Sequence, residues 1–396
     1  MLYKLNFYIL VFSLVFGVVL YDTIASYMNF TFTDELLVLL LFVYWVICGN
    51  KKNKNSREFL LFSLVALFYL CYSLYRPHNV SQAIFMDFLI QIKPFVAFYT
   101  VSCLDFRVKA NDKLIIRVLC ITLALLLLPV GILYVDGTER PLYDLMGHPS
   151  RYATACQVLG VTYFIFSKQK SKDLWISLLI IAISVLSLRS KAFGFCGLFF
   201  LFVLFREKIR VRRLCSLRNI LMLIVCFATV LFLAWEKFEF YFIIGSEYES
   251  ARPMLYSGGI EILKDYPFFG TGFGSYAEYA SSVFYSPLYR EYGLALVGGL
   301  SSDTRAYICD TFFPALAQVG YVGIFLFFYF WFLRIKIAQN NYKQDRNIKK
   351  FGISAVIVLF FMIESIADST FTHNRGIVMM MLLAMNSYSN NLKFRK

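Results

Sequence analysis

Leu123-Ala124-Leu125-Leu126-Leu127-Leu128-Pro129-Val130-Gly131-Ile132-Leu133-Tyr134 closes an apolar run that starts at Leu114 and holds a single charge, Arg117. A helix rises 1.5 Å per residue, so about 20 apolar residues cross roughly 30 Å of hydrocarbon. This run is long enough. Outward from it, similar runs lie at 5–21, 34–48, 59–75, 82–104, 151–167, 174–188, 192–205, 219–235, 311–333, 351–370 and 374–390, which makes twelve spans in all. The composition agrees: 59% of the 396 residues are apolar and 16% charged, with a mean hydropathy of +0.64, where soluble domains have about 45–50% and about 25%. A disordered chain, a disulfide scaffold and a soluble nucleic-acid-binding domain are excluded. The expectation is an all-α integral membrane protein of about twelve transmembrane helices.

The charges say which end of each run faces which side. Lys4, the 51–57 cluster, 107–117, 168–172, 206–218, 334–350 and the 393–396 tail carry 27 of the 39 Lys and Arg but, with flanking Glu58, Asp105 and Asp173 included, 6 of the 25 Asp and Glu. Basic loops stay cytoplasmic, so both termini are expected there. The net charge of +14 is thereby a topology signal, and no nucleic-acid partner is expected. No small-residue cleavage site closely follows the first run, which reads as an uncleaved helix.

Residues 174–205 would make a helix of about 48 Å if continuous, yet both flanks are basic. A hairpin is therefore expected, with the turn Leu188-Arg189-Ser190-Lys191 recessed below the outer surface or reached by local thinning of the membrane. Residues 236–310, between helices one to nine (1–235) and ten to twelve (311–396), are the one long outer segment. Its Pro and Gly turn signals predict a small cap of short helices. Of nine Cys only Cys309 falls there, so no outer disulfide framework is available, and His78, His148 and His373 have no metal-ligand spacing. No metal and no cofactor are expected.

Cations on the outer side are what the positive-inside rule leaves unexplained. They are Arg76, Lys93, Arg140, Arg151, Arg189, Lys191, Lys237, Arg252, Lys264, Arg290, Arg305 and Arg375. Several are expected to surround one anion, since a guanidinium fork suits phosphate; Arg290 and Lys237 read better as solvated. Lys93 lies within a span, with Asp87 its expected counter-ion unless it meets a lipid phosphate. Glu364 and Asp368 share a helix face, and an Asp368 to Arg375 ion pair is expected. Asp310 opens the tenth span either as an N-cap or as a carboxylate that orients or deprotonates a hydroxyl. The run Gly270-Thr271-Gly272-Phe273-Gly274 follows no strand and is no nucleotide loop; it predicts a tight turn with aromatics against membrane or sugar. Tyr276, Tyr279 and Tyr307 are expected in the cap core, with sugar stacking the alternative.

Several of these segments resemble the O-antigen polymerase and O-antigen ligase superfamily. They are Arg252-Pro253 through Pro267-Phe268-Phe269-Gly270-Thr271-Gly272-Phe273-Gly274, Asp310-Thr311-Phe312 through Ala317-Gln318-Val319-Gly320, Gly147-His148-Pro149-Ser150-Arg151-Tyr152-Ala153, and Leu186-Ser187-Leu188-Arg189-Ser190-Lys191-Ala192. The resemblance covers roughly residues 140 to 330. It implies a bundle of the GT-C type in a bacterial inner membrane, with a periplasmic cap and active site. The implied reaction is glycosyl transfer from an undecaprenyl-pyrophosphate-linked oligosaccharide, without a nucleotide sugar or metal. In a polymerase the acceptor is a repeat unit on the same lipid; in a ligase it is lipid A core. Ligases typically carry a His where this chain has Asp310, which favours the polymerase. A lipid-glycan flippase is the remaining alternative, but the chain lacks the paired repeats usual in transporters. Membrane lipid, a polysaccharide chain-length regulator and a flippase are the implied partners. For that reaction the residues themselves point to Arg189 and Arg252 as the cations facing the departing diphosphate and to Asp310 as the catalytic base, with His148 and His373 in reserve for that role, and to Lys93, Arg140, His148, Arg151, Lys191, His373 and Arg375 as substrate- or pyrophosphate-binding.

Overall fold

The computed structural model describes residues 2–28, 32–49, 54–104, 108–209, 211–213 and 250–388, with isolated positions between 216 and 239. Every described element is helical. In chain order they are α1 (Leu2–Phe12), α2 (Tyr21–Met28), α3 (Thr33–Cys48), α4 (Lys54–Tyr75), α5 (Ser81–Cys103), α6 (Ala110–Val135), α7 (Arg140–Met146), α8 (Pro149–Phe166), α9 (Ser171–Ala182) and α10 (Ser190–Phe205). After the run at 219–235, described only at 219, 221 and 224, and Lys237, which lies outside the described residues, come α11 (Ala251–Asp265), α12 (Tyr279–Val283), α13 (Leu288–Glu291), α14 (Gly320–Asp345), α15 (Ile348–Ala367) and α16 (Asn374–Tyr388).

Among the described residues five stretches are long and apolar enough to cross a membrane: Asn55–Tyr75, Ser81–Cys103, Ala110–Val135, Phe313–Asp345 and Ile348–Ala367. A sixth exists if the bent first helix is counted as one span. The expected spans at 34–48, 151–167, 174–188, 192–205 and 374–390 form shorter helices. On the long helices the outward faces are apolar, as at Leu60, Leu61, Leu125, Leu126, Phe325 and Phe332. Water would penalise such surface and hydrocarbon would not, so this is the surface of a multi-pass membrane protein. Inside, α8 is buried almost all round and packs on α6 and α9, while α16 packs on α5. Small residues permit the close approach: Ser177 Oγ donates to the Gly160 carbonyl at 2.8 Å across the α8–α9 contact.

The first span departs from expectation. A π-helical stretch, Ser13–Val19, ends α1, and the chain then turns by 70° into α2. Such a break strands carbonyls that a regular helix would satisfy. Two are taken up by the start of α16, where Asn374 Nδ2 donates to the Gly17 carbonyl and Arg375 Nε to that of Val18. The hairpin forms as expected: a 3-10 turn, Ile183–Ser187, follows α9, Leu188 is left-handed, and α10 packs back on α9.

The cap has its own core, built on Leu255, Ile262, Tyr276, Leu288, Tyr289 and Leu300. It runs past the expected limit at 310 to Ala315 and Ala317. The glycine run is its fastening, with Phe273 buried beside it. Gly272 N–H donates to the Gln318 carbonyl (2.8 Å), Phe273 N–H to Ser73 Oγ (2.9 Å) and Gly274 N–H to Asp87 Oδ2 (2.6 Å). Gly272 sits at φ +82°, and a Cβ there would lie 2.7 Å from Ser73 Oγ and 3.0 Å from Ser73 Cα. Only glycine tolerates both conditions. Gly272→Ala is expected to cost about 1–3 kcal/mol in backbone strain alone, lowering the detergent-solubilised melting temperature and exposing the cap to protease. Gly298, with nothing within 4 Å of its would-be Cβ, is the control; equal melting of the Gly272→Ala and Gly298→Ala proteins would refute the fastening role.

Candidate functional site

A cavity of about 1160 Å³ opens between α2, the α7–α8 junction, the hairpin turn, the cap and the α15–α16 junction. It is where chain ends of helices meet, so its wall is polar inside an apolar molecule. Seven of the ten expected site residues line it: His148, Arg151, Arg189, Arg252, Asp310, His373 and Arg375. Lys191 stands one step behind, bound to the cavity-lining Asp368.

Two expected residues do not belong. Lys93 is buried between α3 and α5, where Asp34 (2.6 Å) and Glu35 (2.7 Å) neutralise it in place of the expected Asp87. A buried ammonium requires a counter-charge, and the α3 carboxylates supply it, leaving Lys93 no role at the cavity. Arg140 is exposed and pairs with Asp144 one turn on, at 3.4 Å. An exposed i,i+4 pair contributes about 0.3–0.5 kcal/mol, and although Asp144 lies on the cavity wall Arg140 itself does not line it.

The expected Asp368–Arg375 pair does not form either. Asp368 Oδ2 and Glu364 Oε2 both accept from Lys191 Nζ, at 2.5 and 2.7 Å. Arg375 Nη2 instead donates to Asp22 Oδ2 at 2.6 Å, and Arg151 Nη1 to Asp22 Oδ1 at 2.5 Å. Asp22 drew no attention as a sequence position; the 70° bend is what carries it to the cavity. Asp310 is not an N-cap, because the next segment is a 3-10 turn, Phe313–Val319, that precedes α14. Its Oδ2 accepts from both Arg252 Nε (2.7 Å) and Arg252 Nη2 (2.5 Å). Burial pushes its carboxyl above the usual carboxylate range, against the pull of that guanidinium. Among the described residues Arg189 forms no ion pair; its Nη2 lies 3.3 Å from His148 Nε2.

His148 and His373 are both held below the usual imidazole range. His148 caps α8, its Nδ1 accepting from Ser150 N–H at 3.2 Å, while the guanidinium of Arg189 faces its other nitrogen. Burial, reinforced by Arg189, brings its pKa down from 6.5 to about 4. His373 is exposed on the cavity wall, and desolvation by the surrounding protein brings it likewise to about 4, against the attraction of Asp368. Its Nε2 is 3.3 Å from Ser369 Oγ, which donates to the Cys309 carbonyl; that hydroxyl is then an acceptor for the ring N–H. Of the three tyrosines, Tyr276 is in the cap core as expected, its hydroxyl on the Leu255 carbonyl, whereas Tyr279 and Tyr307 line the cavity.

Comparison with known protein families finds no match, and comparison with curated proteins finds none either.

The neutral imidazoles set a pH dependence. An ordinary His binds a proton below about 6.5, and these refuse it until about 4, so the unfolded chain binds more protons between those values. The stability they contribute is complete above about 6.5 and is lost as the pH falls toward 4. The melting temperature of wild type is expected to fall across that window, and that of His148→Asn to fall less steeply. Parallel curves for the two proteins would refute the assignment.

Proposed function

We propose that the protein is a polysaccharide polymerase of the O-antigen or capsule type, and that the cavity is its active site. On this reading the chain crosses a bacterial inner membrane twelve times with both termini cytoplasmic, and the cavity opens to the periplasm. It takes a growing glycan on undecaprenyl pyrophosphate as donor and an undecaprenyl-pyrophosphate-linked repeat unit as acceptor. The observation that carries the reading is Arg189: a guanidinium at a polar cavity wall with no carboxylate partner among the described residues, beside the Arg252–Asp310 pair.

The chemistry follows from charge. An acceptor hydroxyl attacks the anomeric carbon, and the bond from that carbon to the diphosphate oxygen breaks with its electron pair leaving on the diphosphate. Arg189 donates to the oxygens as that charge develops, which stabilises the transition state more than the ground state. The hydroxyl proton goes to Asp310, whose Oδ2 is occupied by Arg252 and whose carboxyl is raised toward the proton affinity that a general base needs. Tyr279 and Tyr307 offer ring faces to sugars along the wall. Transfer to lipid A core is favoured by nothing in this wall, since the position at the tenth-span entrance is Asp310 and not a histidine.

The test is reconstitution of the purified protein in liposomes with lipid-linked repeat units alone. A ladder of lengthening glycans is expected. Arg189→Ala and Arg252→Ala are expected to abolish it, and Asp310→Asn to reduce it by at least about 10²-fold, with protein inserted at wild-type levels. Normal ladders from both arginine variants would overturn the site assignment, and transbilayer movement of unchanged substrate would replace the polymerase by a flippase.

A further inference from the structure

Asp22 is the part of the cavity wall that the reaction just described does not use. It lies on α2, beyond the 70° bend, and is 7% exposed. Each of its oxygens is committed to a different guanidinium, Oδ1 to Arg151 at 2.5 Å and Oδ2 to Arg375 at 2.6 Å. The two arginines are not equivalent. Arg375 is buried and has further acceptors in the Val18 carbonyl and Met146 sulfur. Arg151 has about half of its side chain open to the cavity, and Asp22 is its one ion-pair partner among the described residues. Gly147, left-handed at φ +64°, gives the pair room: a Cβ there would stand 3.1 Å from Arg151 Nη1.

We infer that Asp22 is a positioning residue, which holds the Arg151 guanidinium at the cavity wall so that its free donors bind a phosphate group of the substrate. The bent first helix is then part of the site. This rests on the polymerase reading for the identity of the phosphate, and on the ion-pair geometry for the role of Asp22. One carboxylate against two guanidiniums leaves a positive charge at this wall. It is spread over a rigid bridge, and a planar fork held in one orientation binds phosphate better than a mobile one. Arg151 also lies on α8, whose neighbouring N-cap is His148, so this wall adjoins that of Arg189.

The sign of the effect separates positioning from simple charge. Removing a negative charge beside an anion site would, by Coulomb attraction alone, tighten anion binding. Without Asp22, however, Arg375 stays held by its other acceptors while Arg151 has no anchor and is repelled by it. Asp22→Asn is therefore expected to weaken binding. In liposomes, KM for the lipid-linked repeat unit should rise about tenfold and kcat fall much less. Inhibition of wild type by inorganic pyrophosphate should need about tenfold more pyrophosphate in the variant. Arg151→Gln, which leaves the Asp22–Arg375 pair intact, should give the same split, and the double variant should be no worse than either single one. A KM and pyrophosphate sensitivity that are unchanged or improved in Asp22→Asn, or additive losses in the double variant, would overturn the inference. If Asp22→Asn does not insert, Arg151→Gln decides: an unchanged KM overturns the inference and a tenfold rise supports it. Should wild type make no ladder, the polymerase reading falls, and direct titration of pyrophosphate onto wild type and Arg151→Gln still decides the anion role: equal affinities overturn it and weaker binding by the variant supports it.

Discussion

A cation withdrawn into an apolar bundle must take a counter-charge with it, and the ion pairs between the helices follow from that necessity. Lys93 draws Asp34 and Glu35, Lys191 draws Glu364 and Asp368, Arg375 draws Asp22, and on the other side Arg334 draws Glu58 at 3.0 Å while stacking on Phe98 and Phe330. Each of these bonds joins helices far apart in sequence. Breaking a buried pair by removing one partner costs about 3–5 kcal/mol, because the survivor is left charged and dry. The pairs thus act as registers, holding helix ends at fixed rotations. An otherwise apolar contact between two helices in hydrocarbon has little to set its rotation beyond shape.

The cavity is the consequence of where the helices stop. The hairpin turn ends at Leu188, α8 begins at Pro149, α15 ends at Ala367 and α16 begins at Asn374, and none of these ends reaches across the space between them. Two devices keep that space from collapsing. The bend of the first helix lays α2 along one side, fastened through Thr23 Oγ1 to the Leu145 carbonyl at 3.0 Å. The cap closes over it, fastened through the glycine run to α4, α5 and the turn before α14. Neither fastening uses a cavity residue, so the wall chemistry is free to differ from the chemistry that holds it.

How far this was legible in the sequence depends on whether a residue acts by its kind or by its company. The outer cations stood out because the membrane's charge rule leaves them unexplained, and Arg189, Arg252 and Arg375 do meet at one cavity with His148, His373 and Asp310. Which carboxylate meets which cation was not legible. Asp87 and Lys93 share one helix, yet Asp87 turns to the Gly274 N–H and Lys93 to α3. Asp22 reads as an ordinary acid after an apolar run, and only a π-helical break, which leaves no mark in composition, brings it inward. The expected spans at 34–48 and 192–205 return as helices of 16 residues each, α3 and α10, shorter than the roughly 20 residues that cross the hydrocarbon. The glycine run carried its meaning in close approach of backbone, a three-dimensional fact that spacing alone does not contain.

Paired charges at such a wall are an advantage for the proposed reaction, contrary to a first intuition that phosphate is best met by naked cations. A loose cluster of guanidiniums would bind the diphosphate substrate tightly in its ground state, which lowers KM without accelerating chemistry. Here Arg252 is shared with Asp310. On the proposed mechanism Asp310 gains a proton as the acceptor attacks, and a neutral carboxyl holds a guanidinium far less strongly than a carboxylate does. The charge of Arg252 is thereby released toward the cavity during the same step in which negative charge appears on the departing diphosphate. One proton transfer then does two things at once, activating the nucleophile and unmasking a cation for the leaving group, with no ion having to enter the site.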